Sequence, residues 1–191
     1  MRGWYPRWGK RLMDIFLASG GLIVFTIPMV WIGWRIWRQS GRSPFFRQTR
    51  IGLNGAPFVI LKFRTMSETG QVTPFGHWLR TTAMDELPQL SHILRGQMSF
   101  IGPRPLIPEE LSELPQIPHG TRRLSIRPGL TGLAQVNSSK VPSLSERIRW
   151  DCAYLDRCSA RLDLKILLKS VGVTLRGAWD HSGRHVAPVE R

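Results

Sequence analysis

Ile15-Phe16-Leu17-Ala18-Ser19-Gly20-Gly21-Leu22-Ile23-Val24-Phe25-Thr26-Ile27-Pro28-Met29-Val30-Trp31-Ile32-Gly33-Trp34 is a run of twenty residues without a formal charge. Wound as a helix it is about 30 Å long, the thickness of a bilayer core. Its flanks are basic on both sides, with Arg2, Arg7, Lys10 and Arg11 before it and Arg35, Arg38, Arg42, Arg47 and Arg50 after it. Basic flanks favour the cytoplasm, so both ends are drawn to the same side. Pro28 removes a hydrogen bond to the Val24 carbonyl and crowds that turn, and Thr26 is expected to satisfy the freed carbonyl. The pattern leaves two readings open: a plain spanning helix, or a re-entrant helix bent at Pro28 with both ends in the cytoplasm. Trp4, Tyr5, Trp8, Trp31, Trp34 and Trp37 suit an interfacial belt in either case.

Beyond this segment the pattern changes. The runs Pro44–Arg50 and Pro57–Arg64 are aromatic and β-branched, and Gly52-Leu53-Asn54-Gly55 lies between them. Asn-Gly tolerates positive φ at both positions, so the stretch predicts a short antiparallel hairpin, which needs helical cover. Thr73–Arg80 predicts a turn and a short helix. Leu87, Leu90, Ile93 and Leu94 recur at helical spacing, with Pro88 in the first turn and Gly96 as C-cap. Short helices are expected from Pro108 to Glu113 and from Glu146 to Tyr154, a rigid turn over Arg127–Gly132 and a polar loop over 135–145. From Arg161 to about Arg176, Leu164, Leu167, Leu168, Val171 and Leu175 mark one face of a basic amphipathic helix, which suits either an anionic membrane surface or the core.

The 191 residues carry 27 Lys+Arg against 13 Asp+Glu, a formal charge of +14. Such a field attracts anions, whether nucleic acid, acidic lipid or phosphorylated small molecules. No nucleic-acid-reading motif, P-loop, dinucleotide fingerprint or serine elbow is present. Cys152 and Cys158 fit neither a metal pair nor a redox pair and are expected as reduced thiols; the histidines show no metal-ligand spacing.

Between Arg35 and Arg104 the acidic residues are Glu68, Asp85 and Glu86. The adjacent pair falls at a helix start, where free N–H groups stabilise negative charge. Spacing alone favours capping, with a nucleophile or a Mg²⁺ ligand as the alternative. Arg64, Arg80, Arg104 and Arg127 each sit beside turn residues, and planar guanidinium groups suit phosphate oxygens as well as structural roles.

The order of motifs resembles the small monotopic phosphoglycosyl transferases, the bacterial sugar transferase family. The matching pieces are KRLMD (Lys10–Asp14), PFFRQTRIG (Pro44–Gly52), FVILKFRTM (Phe58–Met66), FGHWLRTTAMDELPQL (Phe75–Leu90), GQMSFIGPRPL (Gly96–Leu106), RPGLTGLAQVN (Arg127–Asn137) and LDLKIL (Leu162–Leu167). The resemblance implies an α+β, mostly helical fold, with a re-entrant membrane helix broken at Pro28, a small β-hairpin and surface amphipathic helices. It divides the chain into the re-entrant segment 1–40, a catalytic domain 41–178 and a disordered tail 179–191. It implies transfer of a phosphosugar from a UDP-sugar to a polyprenyl phosphate, with release of UMP, through a phosphosugar intermediate on Asp85. Such a step begins the assembly of an exopolysaccharide, capsule, O-antigen or glycoprotein glycan. Mg²⁺ is the implied cofactor, with Glu86, and Asp85 beside it, as ligands. Arg104 and Arg127, with Arg80 and Arg64 behind them, are the candidates for the diphosphate and nucleotide. Lys10, Arg11 and Asp14 are expected to anchor the membrane helix. The partners implied are inner-membrane lipids and the two substrates, not nucleic acid, with the active site on the cytoplasmic face of the bacterial inner membrane; a homodimer is left open. A basic nucleic-acid-binding protein and a non-catalytic membrane scaffold are the rival readings, and the intact Asp85-Glu86 pair argues against the second. The chain departs from the family at Ile27, where Ser is frequent, at Ser91-His92 in place of Trp-Asn, at Gln97 in place of Asp, and at Asn137-Ser138-Ser139 in place of Asn-Gly-Arg.

Overall fold

A computed structural model of the chain describes residues 5–137 and 142–175. The tail expected over 179–191, residues 138–141 of the polar loop, and Arg2, Trp4 and Arg176 lie outside the described residues.

The uncharged run forms the middle of one long helix, α1 (Lys10–Ser40). Asp14, Ala18, Leu22, Phe25, Met29, Ile32 and Ile36, spaced by threes and fours, form a stripe along it. Ala18, Leu22 and Phe25 pack on Phe58, Ile60, Leu90, Ile93 and Met98. Met29, Ile32 and Ile36 pack on Phe63 and Leu79. The opposite face, with Phe16, Ile23, Val24, Ile27, Val30 and Trp34, is exposed; Ile27 is 81% accessible. The helix therefore rests on the rest of the protein near both of its ends and offers an apolar face outward.

Pro28 lies inside α1 and does not divide it into two elements. Thr26 does not reach the Val24 carbonyl: its hydroxyl donates to the Leu22 carbonyl at 2.5 Å. A threonine side chain in a helix reaches the carbonyl four residues back, and Val24 is only two back. The helix ends at Gly41, whose φ of 65° lets its N–H return to the Trp37 carbonyl at 2.8 Å. At the other end, Asp14 accepts from the Phe100 N–H at 2.9 Å and the Ser99 hydroxyl at 3.0 Å. Lys10 lies 2.6 Å from the buried Asp163 carboxylate, to which Tyr5 and Tyr154 also donate.

The expected hairpin is β1 (Phe45–Ile51) with β2 (Pro57–Phe63), antiparallel, pairing Phe45 with Phe63 and Ile51 with Pro57. Asn54 and Gly55 both take positive φ, 56° and 80°, as the turn chemistry demands. Helix α2 (Pro74–Thr81) is capped by the Thr73 hydroxyl, which accepts the Gly76 N–H at 2.9 Å. The helix expected around Leu87 is two pieces: a 3₁₀ helix over Met84–Gln89, packed against β2, and α3 (Leu90–Leu94). Pro88 has no N–H for the preceding turn, and the α-helix begins only after it. Gly96, with φ 78°, follows the end of α3.

A second, smaller sheet was not expected. Strand β3 (Ser99–Ile101) runs parallel to β4 (Gly129–Thr131), which lies inside the segment read as a rigid turn. Between them come the short α4 (Pro108–Leu111) and two 3₁₀ turns. The two backbones touch where β3 ends and β4 begins: a Cβ on Gly129 would lie 2.2 Å from the Gly102 nitrogen. Only glycine permits that approach.

The chain closes with α5 (Leu133–Asn137), which takes the start of the predicted polar loop, then α6 (Leu144–Arg157) and α7 (Ala160–Leu175). Asp163, Ile166 and Ser170 form the buried edge of α7. Of the predicted Leu stripe, Leu167 packs inward, whereas Leu164, Leu168, Val171 and Leu175 are exposed; Leu168 is 64% accessible. Lys165 and Lys169 flank this outward apolar face.

Candidate active site

The carboxylate pair occupies the 3₁₀ helix that packs on β2, and a recess opens beside it. Arg50 reaches the recess from the end of β1 and Lys62 from β2. Glu86 and Gln89 come from the 3₁₀ helix, and Arg104 follows β3, opposite Gly129 and Leu130 of β4. Three residues per turn place Glu86 and Gln89 on one edge of the 3₁₀ helix. Asp85 is 4% accessible, stands next to Glu86 and does not itself line the opening.

Three cationic side chains against one carboxylate make the recess electropositive. Lys62 Nζ lies 2.9 Å from Glu86 Oε1. The Arg50 guanidinium is pushed down to about 10, first by burial and then by the neighbouring Arg104 cation. Its Nη1 donates to the Pro105 carbonyl at 3.2 Å, and its Nε and Nη2 donate to Gln48 Oε1. Two guanidinium groups in one partly buried recess repel one another, and a bound anion would relieve that repulsion.

Of the arginines singled out in the sequence, Arg104 enters the recess. The other three do not line it and bind within the protein. Arg127 Nε donates to the Gly96 carbonyl at 2.7 Å. Beside it Arg11 donates to the carbonyls of Ile93 and Leu94, so Arg11 caps the end of α3 and Arg127 holds the turn that follows it. Arg80 Nε donates to the Thr65 hydroxyl at 3.0 Å, and Arg64 donates to the carbonyls of Ser43 and Phe45. Arg50, Lys62 and Gln89 are not among the site residues read from the sequence: Arg50 counts there only as a basic flank of the membrane segment, and all three lie inside the matching motifs without an assigned role.

The loop that carries Arg104 is held from behind. Arg123, almost fully buried, donates from Nη2 to the Arg104 carbonyl at 2.7 Å and pairs with Asp151 Oδ2 at 3.2 Å. Glu110 accepts the Ile107 N–H at 3.1 Å and pairs with Arg147. Burial drives Asp151 up to about 6, against the pull of Arg123 and Arg147.

His92 is buried. Its Nε2 accepts the Leu61 N–H at 3.2 Å, which leaves the proton on Nδ1, 2.8 Å from Gln97 Oε1. Among the described residues no three His, Cys, Asp or Glu side chains form a metal-binding group. Two adjacent carboxylates beside a cationic recess are still a donor set that Mg²⁺ accepts, because this ion completes its shell with water and substrate phosphates. Cys152 and Cys158 are free thiols.

The sequence model of the bacterial sugar transferase family matches residues 5–177. The chain is 34% identical, over 194 aligned positions, to the uncharacterized sugar transferase EpsL of Bacillus subtilis (strain 168), covering 93% of this chain and 92% of that protein. It is 39% identical over 181 positions to the UDP-glucose:undecaprenyl-phosphate glucose-1-phosphate transferase of Caulobacter vibrioides, covering 85% of this chain and 68% of that one. It is 34% identical over 190 positions to the exopolysaccharide production protein ExoY of Rhizobium meliloti (strain 1021), covering 85% and 83%.

Proposed function

This chain belongs to the bacterial sugar transferase family, and from that membership we propose that it moves a sugar 1-phosphate from a UDP-sugar to undecaprenyl phosphate and releases UMP. The observation that carries the reading is the convergence of Glu86 with Arg50, Lys62 and Arg104 in one recess, immediately beside Asp85. A diphosphate brings many acceptor oxygens and negative charge, and the recess opposes them with guanidinium and ammonium donors. The names of the Caulobacter and Rhizobium relatives support the undecaprenyl phosphate acceptor and a role in exopolysaccharide production.

In the proposed sequence an oxygen of the Asp85 carboxylate attacks the β-phosphorus of the UDP-sugar. The bond from that phosphorus to the bridging oxygen breaks, and UMP leaves with the electron pair. The phosphosugar is then held on Asp85 until an oxygen of undecaprenyl phosphate attacks the same phosphorus and displaces the carboxylate. Splitting the exchange in this way keeps the two anionic substrates from meeting directly. Arg104 and Arg50 orient the diphosphate and oppose the charge gathering on its oxygens. Glu86, with Asp85, would hold Mg²⁺, which when bound neutralises part of the diphosphate charge.

The exposed outer face of α1 and the exposed apolar face of α7, with α1 packed on the protein on both sides of Pro28, support a monotopic placement on the cytoplasmic face of the inner membrane, both ends of α1 lying on that side. That placement sets the recess near the headgroup layer, where a lipid phosphate is in reach. The test is UMP release by purified protein from a panel of UDP-sugars beginning with UDP-glucose, with Mg²⁺, with and without undecaprenyl phosphate. Lipid-dependent release that disappears in Asp85→Asn is the expected result. Release by Asp85→Asn at the wild-type rate removes Asp85 as the nucleophile.

A further inference from the structure

Gln89 is 2% accessible, and its Nε2 is enclosed with no hydrogen-bond partner. An amide donor buried without an acceptor loses its hydration and gets nothing back. Methionine or leucine would fill the same space without that loss. Among the described residues several enclosed polar side-chain atoms lack a partner, and Gln89 is the residue among these that lines the recess.

The surroundings identify the acceptor that is missing. Gln89 shares one edge of the 3₁₀ helix with Glu86. Lining the same recess are Arg50, Lys62 and Arg104, whose side chains only donate. Glu86 is the one acceptor side chain among the charged groups, and Lys62 already pairs with it. A pocket so rich in donors complements a group with many acceptor oxygens and no hydrogens of its own. A phosphoryl or diphosphoryl group meets that description, and a sugar hydroxyl or an amine does not.

We propose that the Gln89 side-chain amide donates a hydrogen bond to a diphosphate oxygen of the bound nucleotide sugar, an inference that rests on the function proposed above. Being neutral, the amide adds direction where the three cations add charge. It fixes which oxygen faces Arg104, and so which face of the phosphorus is turned to the carboxylate edge.

The experiment uses full-length protein in detergent and compares wild type with Gln89→Met, which keeps the volume and removes the donor, and Gln89→Glu, which keeps the shape and replaces the donor with an anion. Melting temperature is read alone and with inorganic pyrophosphate, UDP or UDP-glucose; UMP release is read in parallel. Gln89→Met is expected to melt at or above the wild-type temperature without ligand, to bind UDP and pyrophosphate at least ten-fold more weakly, and to release UMP at least ten-fold more slowly at low donor concentration. Gln89→Glu is expected to lose the ligand-induced rise altogether. The proposal is overturned if Gln89→Met binds the diphosphates as wild type does, or if it melts lower with binding unchanged, the mark of a purely structural glutamine. It also falls if wild type binds neither pyrophosphate nor UDP. Wild-type protein that binds both but releases UMP from no UDP-sugar defeats the proposed reaction and leaves the Gln89 comparison to stand on binding.

Discussion

Lys62 Nζ and Glu86 Oε1 lie 2.9 Å apart, joining the second hairpin strand to the carboxylate edge of the recess, with both side chains mostly shielded from water. The lysine is therefore both a counter-ion of Glu86 and a wall of the recess. Its removal acts on the two proposed ligands in opposite directions. In Lys62→Met, Glu86 no longer shares its charge with an ammonium group, so half-maximal activity is expected at lower Mg²⁺. The recess loses a cation, so the KM for the UDP-sugar is expected to rise. Breaking one side of a shielded pair also costs about 3 kcal/mol of stability. Titrating Mg²⁺ and donor separately checks this; weakening of both together would assign Lys62 to the fold alone.

Asp151 supplies a pH dependence of known sign. Its folded carboxyl is driven up to about 6 by burial, from an ordinary 3.8, even with Arg123 and Arg147 nearby. Between those values the folded protein keeps a proton that the unfolded chain has released, so this group favours folding at the acid end and loses that contribution as pH rises through 6. Glu110 is only partly buried, and although that burial pushes its carboxyl up, Arg147 holds it below its usual range, so its contribution is present above 4.5 and falls away only below that. From pH 4.5 to 6.5, wild type is expected to lose about 2 kcal/mol relative to Asp151→Asn. Melting temperatures of the two proteins across that interval, converted to stability differences, check it. Because Arg123 joins Asp151 to the Arg104 carbonyl, Asp151→Asn is also expected to raise the KM for donor.

The elements that announced themselves in the sequence are those with local chemistry. Asn54-Gly55 forces a positive-φ turn whatever surrounds it, and Thr73 caps the helix that begins at Pro74. The pairing of β3 with β4 had no such signal. Each strand is three residues long, they meet across nearly thirty residues of chain, and glycine-to-glycine contact defines the join. The site divides along the same line. Asp85 and Glu86 stand out as adjacent acids in an arginine-rich stretch, but Arg50, Lys62 and Gln89 become neighbours only when the hairpin packs on the 3₁₀ helix. Arginines in rigid turns suit carbonyl oxygens as well as phosphates. Arg64 and Arg127 are engaged by carbonyls, Arg104 faces the recess, and no one-dimensional pattern separates the two uses.

His92 and Gln97 look in the sequence like two separate departures from the family pattern. In the fold they are one unit, with Nδ1 and Oε1 2.8 Å apart and Nε2 holding the Leu61 N–H beside Lys62. Gln97→Asp alone places an anion against His92, and His92→Asn alone shortens the side chain that reaches Leu61. Each single change is expected to cost about 1–2 kcal/mol. The double variant restores the family's own pair and is expected to cost less than the sum, with a coupling of about 1 kcal/mol. Thermal unfolding of the four proteins closes the cycle, and strictly additive losses would dissolve the unit.

The course of α1 can be tested by labelling. Its packed stripe runs from Asp14 to Ile36, and the residues on both sides of Pro28 rest on the same body. A helix crossing the bilayer would carry one of those ends to the far side and expose Ile32 and Ile36, or Ala18 and Leu22, away from their partners. In a Cys152→Ser, Cys158→Ser background, cysteines introduced as Leu12→Cys and Trp37→Cys are expected to react with an impermeant maleimide from the same side of membrane vesicles. Ile27→Cys, on the exposed apolar face, is expected to be shielded by lipid. Because packing along the stripe, and not the proline alone, holds the helix in place, Pro28→Ala is expected to keep both labels on one side while changing the melting temperature. Labels appearing on opposite sides in wild type would make α1 a spanning helix. Labels that move apart only in Pro28→Ala would show that the proline, and not the stripe, decides the topology.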